Sequence, residues 1–134
     1  MKKVIVKRPS FPNFNFNELL KSQEKNCWQV LCGDEKHWRL GIYSPQYSQE
    51  SDIKTLESHN CPEVFVLMEG QLSLLLFHEE TKRFEILELE KGIPIVVNTW
   101  HNGFCPKGPF TGKALVIERD QFETLYKNKK ELHL

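Results

Sequence analysis

Short apolar runs rich in Val, Ile, Leu and Phe constrain this chain most. Each is cut off by a turn former before it is long enough to make a stable helix. Val64-Phe65-Val66-Leu67-Met68 stops at Glu69-Gly70 and resumes as Leu72-Ser73-Leu74-Leu75-Leu76-Phe77, which reads as strand, tight turn, strand. Gly70 supplies the positive φ that such a turn requires, so the pair is predicted to be a hairpin. Trp28 to Cys32, Gly33-Asp34, and His37 to Tyr43 read as a second hairpin, and Ser44 to Ser48 as a loop. Phe84 to Leu89 alternates in part, Ile93 to Val97 leads to Trp100-His101, and Ala114 to Glu118 is a further strand. Asn102 to Pro109 is rich in turn formers. Many short strands divided by Gly and Pro turns predict an all-β sandwich or barrel.

The flanks carry the only helical signals. Asn17 to Lys25 has an N-cap residue followed by helix formers, and Asp120 to Lys130 reads as a closing helix packing through Phe122, Leu125 and Tyr126. Ahead of these, Lys2 to Lys7 suits a short edge strand ended by Pro9 and Pro12. Phe11, Phe14 and Phe16 suit an extended arm lying on a barrel.

A chain of 134 residues is expected to be one domain with a core that needs no staple. Eighteen basic and eighteen acidic residues cancel, which leaves no electrostatic footprint for nucleic acid and no polybasic patch for lipid. The expected partner is a small molecule. Cys27, Cys32, Cys61 and Cys105 show no paired zinc spacing. Met1-Lys2-Lys3 leads into only Val4-Ile5-Val6, so no secretory signal is expected, and no apolar run approaches a membrane span. A reducing, cytoplasmic setting follows.

Two segments carry chemistry. Glu57, His59, Cys61 and Glu63 share one parity, so an extended strand would present them on one face. About forty residues later stands Thr99-Trp100-His101. Two imidazoles and two carboxylates make a mixed nitrogen and oxygen set that admits Mn²⁺, Fe²⁺, Ni²⁺ or Zn²⁺. If Glu57 turns outward, His59, Glu63 and His101 still form a two-His-one-carboxylate face.

These segments resemble the two motifs of the cupin family. His59, Glu63 and Gly70 fall on the second His, the Glu and the Gly of the first motif, and Thr99-Trp100-His101 matches the end of the second. Glu57 stands where the first motif usually has its first His, Ser51 where it opens with Gly, and Val96 and Asn98 where Pro and Gly precede the second-motif His. The strand from Gly92 is about two residues shorter than usual. The resemblance implies a jelly-roll barrel (a double-stranded β-helix) with short flanking helices. Its motif-bearing core spans about 38–119, with an N-terminal arm at 1–27 and a helical tail at 120–134. It also implies one divalent metal ion at Glu57, His59, Glu63 and His101, and, as cupins frequently do, a homodimer paired through edge strands, with the arm around Phe11 to Phe16 as a candidate contact.

The leading functional expectation is a metal-dependent enzyme of isomerase, lyase or dioxygenase type on a small polar substrate, with Glu57 moving protons. A non-catalytic ligand-binding or regulatory cupin, and a metal-free acid/base enzyme, are the alternatives. Phe65 and Trp100 are expected to line the cavity. Cys61 and Cys105 are either small buried hydrophobes or substrate-contacting thiols. His37, Arg39 and Tyr43 share a strand face opposite Trp38, Leu40 and Ile42. If the first face is inward, Arg39 binds a substrate carboxylate and Tyr43 supplies a hydroxyl; if the second is, Arg39 is merely exposed.

Overall fold

The structure, a computed structural model, describes residues 27–133. Ten strands run through it: β1 (Trp28–Asp34), β2 (Trp38–Tyr43), β3 (Thr55–His59), β4 (Glu63–Glu69), β5 (Ser73–His78), β6 (Arg83–Glu88), β7 (Pro94–Val97), β8 (Trp100–Phe104), β9 (Lys113–Arg119) and β10 (Thr124–Asn128). They form two five-stranded sheets, β1-β2-β9-β4-β7 and β10-β3-β8-β5-β6, antiparallel throughout. The architecture is the all-β jelly roll. Among the described residues, no helix is long and apolar enough to cross a membrane.

The main core lies between the sheets. On β4 and β9 alternate residues turn inward, which places Phe65, Leu67, Ala114 and Val116 there, and β5 adds Leu74 and Leu76 from the opposite sheet. A second cluster covers the outer face of the β10-β3-β8-β5-β6 sheet. Here Leu75, Phe77, Trp100 and Phe104 pack under Ile53 and Leu132. Because β5 is buried on both faces, its sequence is a continuous apolar run without alternation.

The β1–β2 hairpin forms as expected, with a bulge between Val30 and Cys32. The hairpin expected at Glu69-Gly70 does not. β4 pairs with β7 and β9, whereas β5 pairs with β6 and β8, so Gly70 turns the chain from one sheet to the other. Gly70 has a φ of 72°, and a Cβ there would run into the Thr111 carbonyl. Both features demand glycine without implying a hairpin.

Two other expectations change. Asn102 to Phe104, read as a turn-rich loop, completes β8. The predicted helix over 120–130 is instead β10, followed by one helical turn, α1 (Lys129–Leu132). β3 offers an open edge, and five register pairs from Thr124↔His59 to Asn128↔Thr55 satisfy its backbone groups. That pairing overrides a weak local helix preference. The predicted arm, edge strand and helix within 1–26 lie outside the described residues.

Candidate metal centre

The extended-strand reading of 57–63 is corrected in one respect. β3 ends at His59, the chain turns at Asn60–Pro62, and β4 starts at Glu63 in the other sheet. Asn60 holds this turn, its Oδ1 accepting the Glu123 amide at 3.0 Å and its own amide donating to the Glu123 carbonyl at 3.2 Å. Glu57 and His59 therefore point inward from one sheet and Glu63 inward from the other, toward the same space. His101 on β8 is the direct cross-strand partner of Glu57.

One donor atom from each of Glu57, His59, Glu63 and His101 lies within 4.8 Å of all the others. Glu57 Oε1 is 3.5 Å from both His59 Nε2 and His101 Nε2, and Glu63 Oε1 is 3.3 Å from His59 Nε2 and 2.5 Å from His101 Nε2. Donors sharing an ion at about 2.0–2.2 Å stand roughly 3 to 3.5 Å apart. The spacings of 3.3 to 3.5 Å match; the Glu63–His101 approach is tighter. Glu63 Oε1 and His101 Nε2 are both buried, and each has the other as its ion-pair partner. Two buried donor atoms converging from opposite sheets, paired only with charged groups of the same cluster, suit a cation between them.

Both imidazoles are oriented from behind. His101 Nδ1 donates to the Thr99 carbonyl at 2.7 Å, which leaves Nε2 as the inward nitrogen, and His59 Nδ1 is 2.8 Å from the Thr124 hydroxyl. Such partners hold the ring and tune its basicity in metal sites. Without an ion the cluster is a network of charges. Burial opposes the imidazolium form of both histidines, but close contact with the Glu57 and Glu63 carboxylates outweighs it and raises His59 to about 9 and His101 to about 10. Burial likewise opposes ionisation of the carboxylates. The histidines outweigh it, bringing Glu57 down to about 2 and lowering Glu63.

The cluster lies in a cavity of about 610 Å³ between the sheets. The inward face of β2 carries Arg39 and Tyr43, and both line the cavity together with Phe65 of β4. Between them on that face is Gly41, where a Cβ would run into the Trp28 indole; the glycine lets Trp28 lie across the strand and reach the cavity wall. His37 precedes β2 and does not line the cavity. Burial pushes the Tyr43 phenol well above its usual range.

Three expected cavity residues are elsewhere. Trp100 adjoins His101 on β8, so strand alternation turns it to the outer cluster, where its indole N–H donates to Glu79 at 2.8 Å. Cys61 is buried in the turn between β3 and β4. Cys105 faces inward but beyond the cavity, in the core, with its sulfur accepting the Gly112 amide at 3.3 Å. All four cysteines are free thiols.

Trp28, Glu118, Phe122 and Thr124 line the cavity without having been singled out. Glu118 had a usable signal, since it shares parity with the inward Ala114 and Val116. Phe122 and Thr124 had been assigned to a helix, which concealed their direction.

No protein-family model matches the sequence, and no curated protein does. Solved structures do match. A cupin-2 domain containing protein from Shewanella frigidimarina superposes with a TM-score of 0.58 at 18% identity, covering 79% of this chain and 93% of that one. An RmlC-like cupin from Desulfovibrio desulfuricans gives 0.53 at 16%, covering 78% and 95%. The iron(II) form of HppE gives 0.55 at 16%, covering 67% of this chain and 47% of the other, so the likeness spans about half of that protein. At these identities the likeness is one of fold: the two sheets of this chain form the jelly roll found in these cupin structures.

Proposed function

We propose that Glu57, His59, Glu63 and His101 hold one divalent cation, and that the protein is a metal-dependent enzyme acting on a small polar substrate. The observation that carries this reading is the convergence of four donor atoms from both sheets within 4.8 Å of one another, with Glu63 Oε1 and His101 Nε2 buried among them. The donors are nitrogen and oxygen only, which suits Mn²⁺, Fe²⁺, Ni²⁺ or Zn²⁺. The iron(II) in HppE, of like fold, is consistent with that set. When bound, such an ion polarises a carbonyl or hydroxyl oxygen or activates water.

The chain's own residues supply the rest. Glu57, at 36% the most exposed of the four side chains, is the ligand best placed to exchange protons with a molecule in the cavity. Tyr43, kept protonated by burial, lines the opposite wall, its hydroxyl donating to Asn102 Oδ1 at 3.4 Å. Phe65 supplies apolar surface. The isomerase, lyase or dioxygenase type of reaction remains part of this proposal, as do the cytoplasmic setting and the homodimer. A monomer at micromolar concentration in a sedimentation experiment would count against the homodimer.

Cobalt(II) titration followed by visible absorption tests the reading. One equivalent is expected to give ligand-field bands, and added azide is expected to shift them by occupying an open position. Bands insensitive to azide would indicate a closed structural ion and overturn the enzyme assignment. No bands at all would overturn the metal site.

A further inference from the structure

The cavity contains a second charged pair that the metal reading does not use. Arg39 on β2 and Glu118 on β9 face each other across neighbouring strands, Arg39↔Glu118 in register, with Arg39 Nε 3.4 Å from Glu118 Oε1. That contact is long and engages Nε alone. Among the described residues, the two terminal guanidinium nitrogens make no hydrogen bond. The guanidinium carbon lies over the Trp28 ring at 5.6 Å and the Phe122 ring at 5.4 Å. Cation–π contact with two rings holds a charged group in place while leaving its edge available.

Phe122 links this group to the cluster. The same ring packs edge-on against the His59 imidazole at 4.7 Å, so Arg39 and the donor set both adjoin one aromatic side chain. Arg39 is the sole Lys or Arg among the described lining residues, whereas Glu57, Glu63, Glu118 and Asp120 all bring carboxyl groups. Away from the metal site, a dianionic phosphate would meet one cation, Arg39, beside the carboxyl groups of Glu118 and Asp120. A single carboxylate matches the fork geometry of one guanidinium and carries less charge to repel.

We propose that Arg39, held by Trp28 and Phe122 and backed by Glu118, binds the carboxylate of a small monoanionic substrate whose second oxygen function faces the Glu57, His59, Glu63, His101 cluster. This deepens the metal-enzyme reading and rests on it for the role of the cluster. The substrate class is a short hydroxy or oxo carboxylic acid. Glu118 is a positioning residue: it holds Arg39 through Nε and leaves the terminal nitrogens for the ligand.

Calorimetric titration of the full chain tests this, with lactate, lactamide and 1-hydroxyethylphosphonate as probes, in zinc-loaded and chelated protein. Lactate is expected to bind at least ~10-fold more tightly than lactamide or 1-hydroxyethylphosphonate in the zinc-loaded form. Arg39→Met is expected to erase that preference without changing zinc content, and Arg39→Lys to retain only part of it, since an ammonium lacks the fork. If Arg39→Met does not fold, Glu118→Gln provides the second variant. Loosening Arg39, it should narrow the lactate-to-lactamide ratio. Equal binding of lactate and lactamide, a preference that survives Arg39→Met, tighter binding of 1-hydroxyethylphosphonate, or no binding up to ~10 mM would each overturn the assignment. Zinc content, measured on the same samples, separates that failure from failure of the metal reading.

Discussion

The two ends of the space between the sheets are built by the same strands and could hardly differ more. β4 delivers Leu67 to one end and Glu63 to the other, β9 delivers Ala114 and Glu118, and β8 continues to Cys105 from His101. At the closed end Leu67, Leu72, Leu74 and Leu89 pack against one another and nothing charged is buried among them. At the open end two carboxylates and two imidazoles converge, with Arg39 and Glu118 beside them. The closed end supplies stability through apolar burial. The open end places ionisable groups where desolvation works against them, an arrangement that stability alone would not favour. Strand alternation tolerates both because it fixes only direction, leaving each inward position free to be apolar or charged.

The largest expected effect comes from unbalancing the open end. In metal-free protein, His101→Ala leaves the buried Glu63 carboxylate without its nearest counter-charge and should cost about 3–5 kcal/mol in urea unfolding. Replacing both, Glu63→Leu with His101→Leu, should recover that loss or exceed wild-type stability while abolishing metal binding. A double variant as unstable as the single one would show that the cluster is structural and break the contrast. At the closed end, Leu74→Ala should cost about 2–5 kcal/mol through a cavity, with metal stoichiometry of the folded fraction unchanged. Lost stoichiometry there would mean that the two ends are not separable.

The pH dependence sharpens the same contrast. In chelated protein His59 and His101 are raised from 6.5 to about 9 and about 10. Their contribution is fully present below about pH 6.5 and lost as pH rises through 9 to 10. Glu57 is lowered from 4.5 to about 2, and Glu63 is lowered too, so their contribution is present above 4.5 and lost as pH falls toward 2. Melting temperature without metal should therefore peak between these limits. With metal bound the histidines are neutral ligands, and the alkaline decline should disappear. A decline identical with and without metal would contradict this account. The smallest effect is expected from Thr124→Val, which removes the hydroxyl behind His59 and should weaken metal affinity about 10-fold with little change in stability. An unchanged affinity would show that Thr124 does not orient the ring.

Much of this arrangement is legible in the sequence. Apolar runs between turn formers led to the all-β class, and the spacing of His59, Glu63 and His101 marked side chains that the fold does bring together. What escaped depended on pairing at a distance. Thr124 to Asn128 looks helical in isolation and becomes a strand because β3 has an open edge to satisfy. Glu69-Gly70 has hairpin chemistry, yet nothing local states that its flanking strands belong to opposite sheets. The inward face of β2 was undecidable because Arg39 and Tyr43 on one side and Leu40 and Ile42 on the other are both plausible interiors. Only the packing of Trp28 over Gly41 and the register with Glu118 resolve it.

The central claim is that the cluster holds one divalent ion. Its most direct test is elemental analysis of protein purified without a metal-binding tag, beside a His59→Ala, His101→Ala double variant, each after incubation with divalent ions and desalting. Near-stoichiometric metal in the wild type and its loss in the variant are the predicted result. A wild type that retains no ion, or a variant that retains as much, would contradict the account.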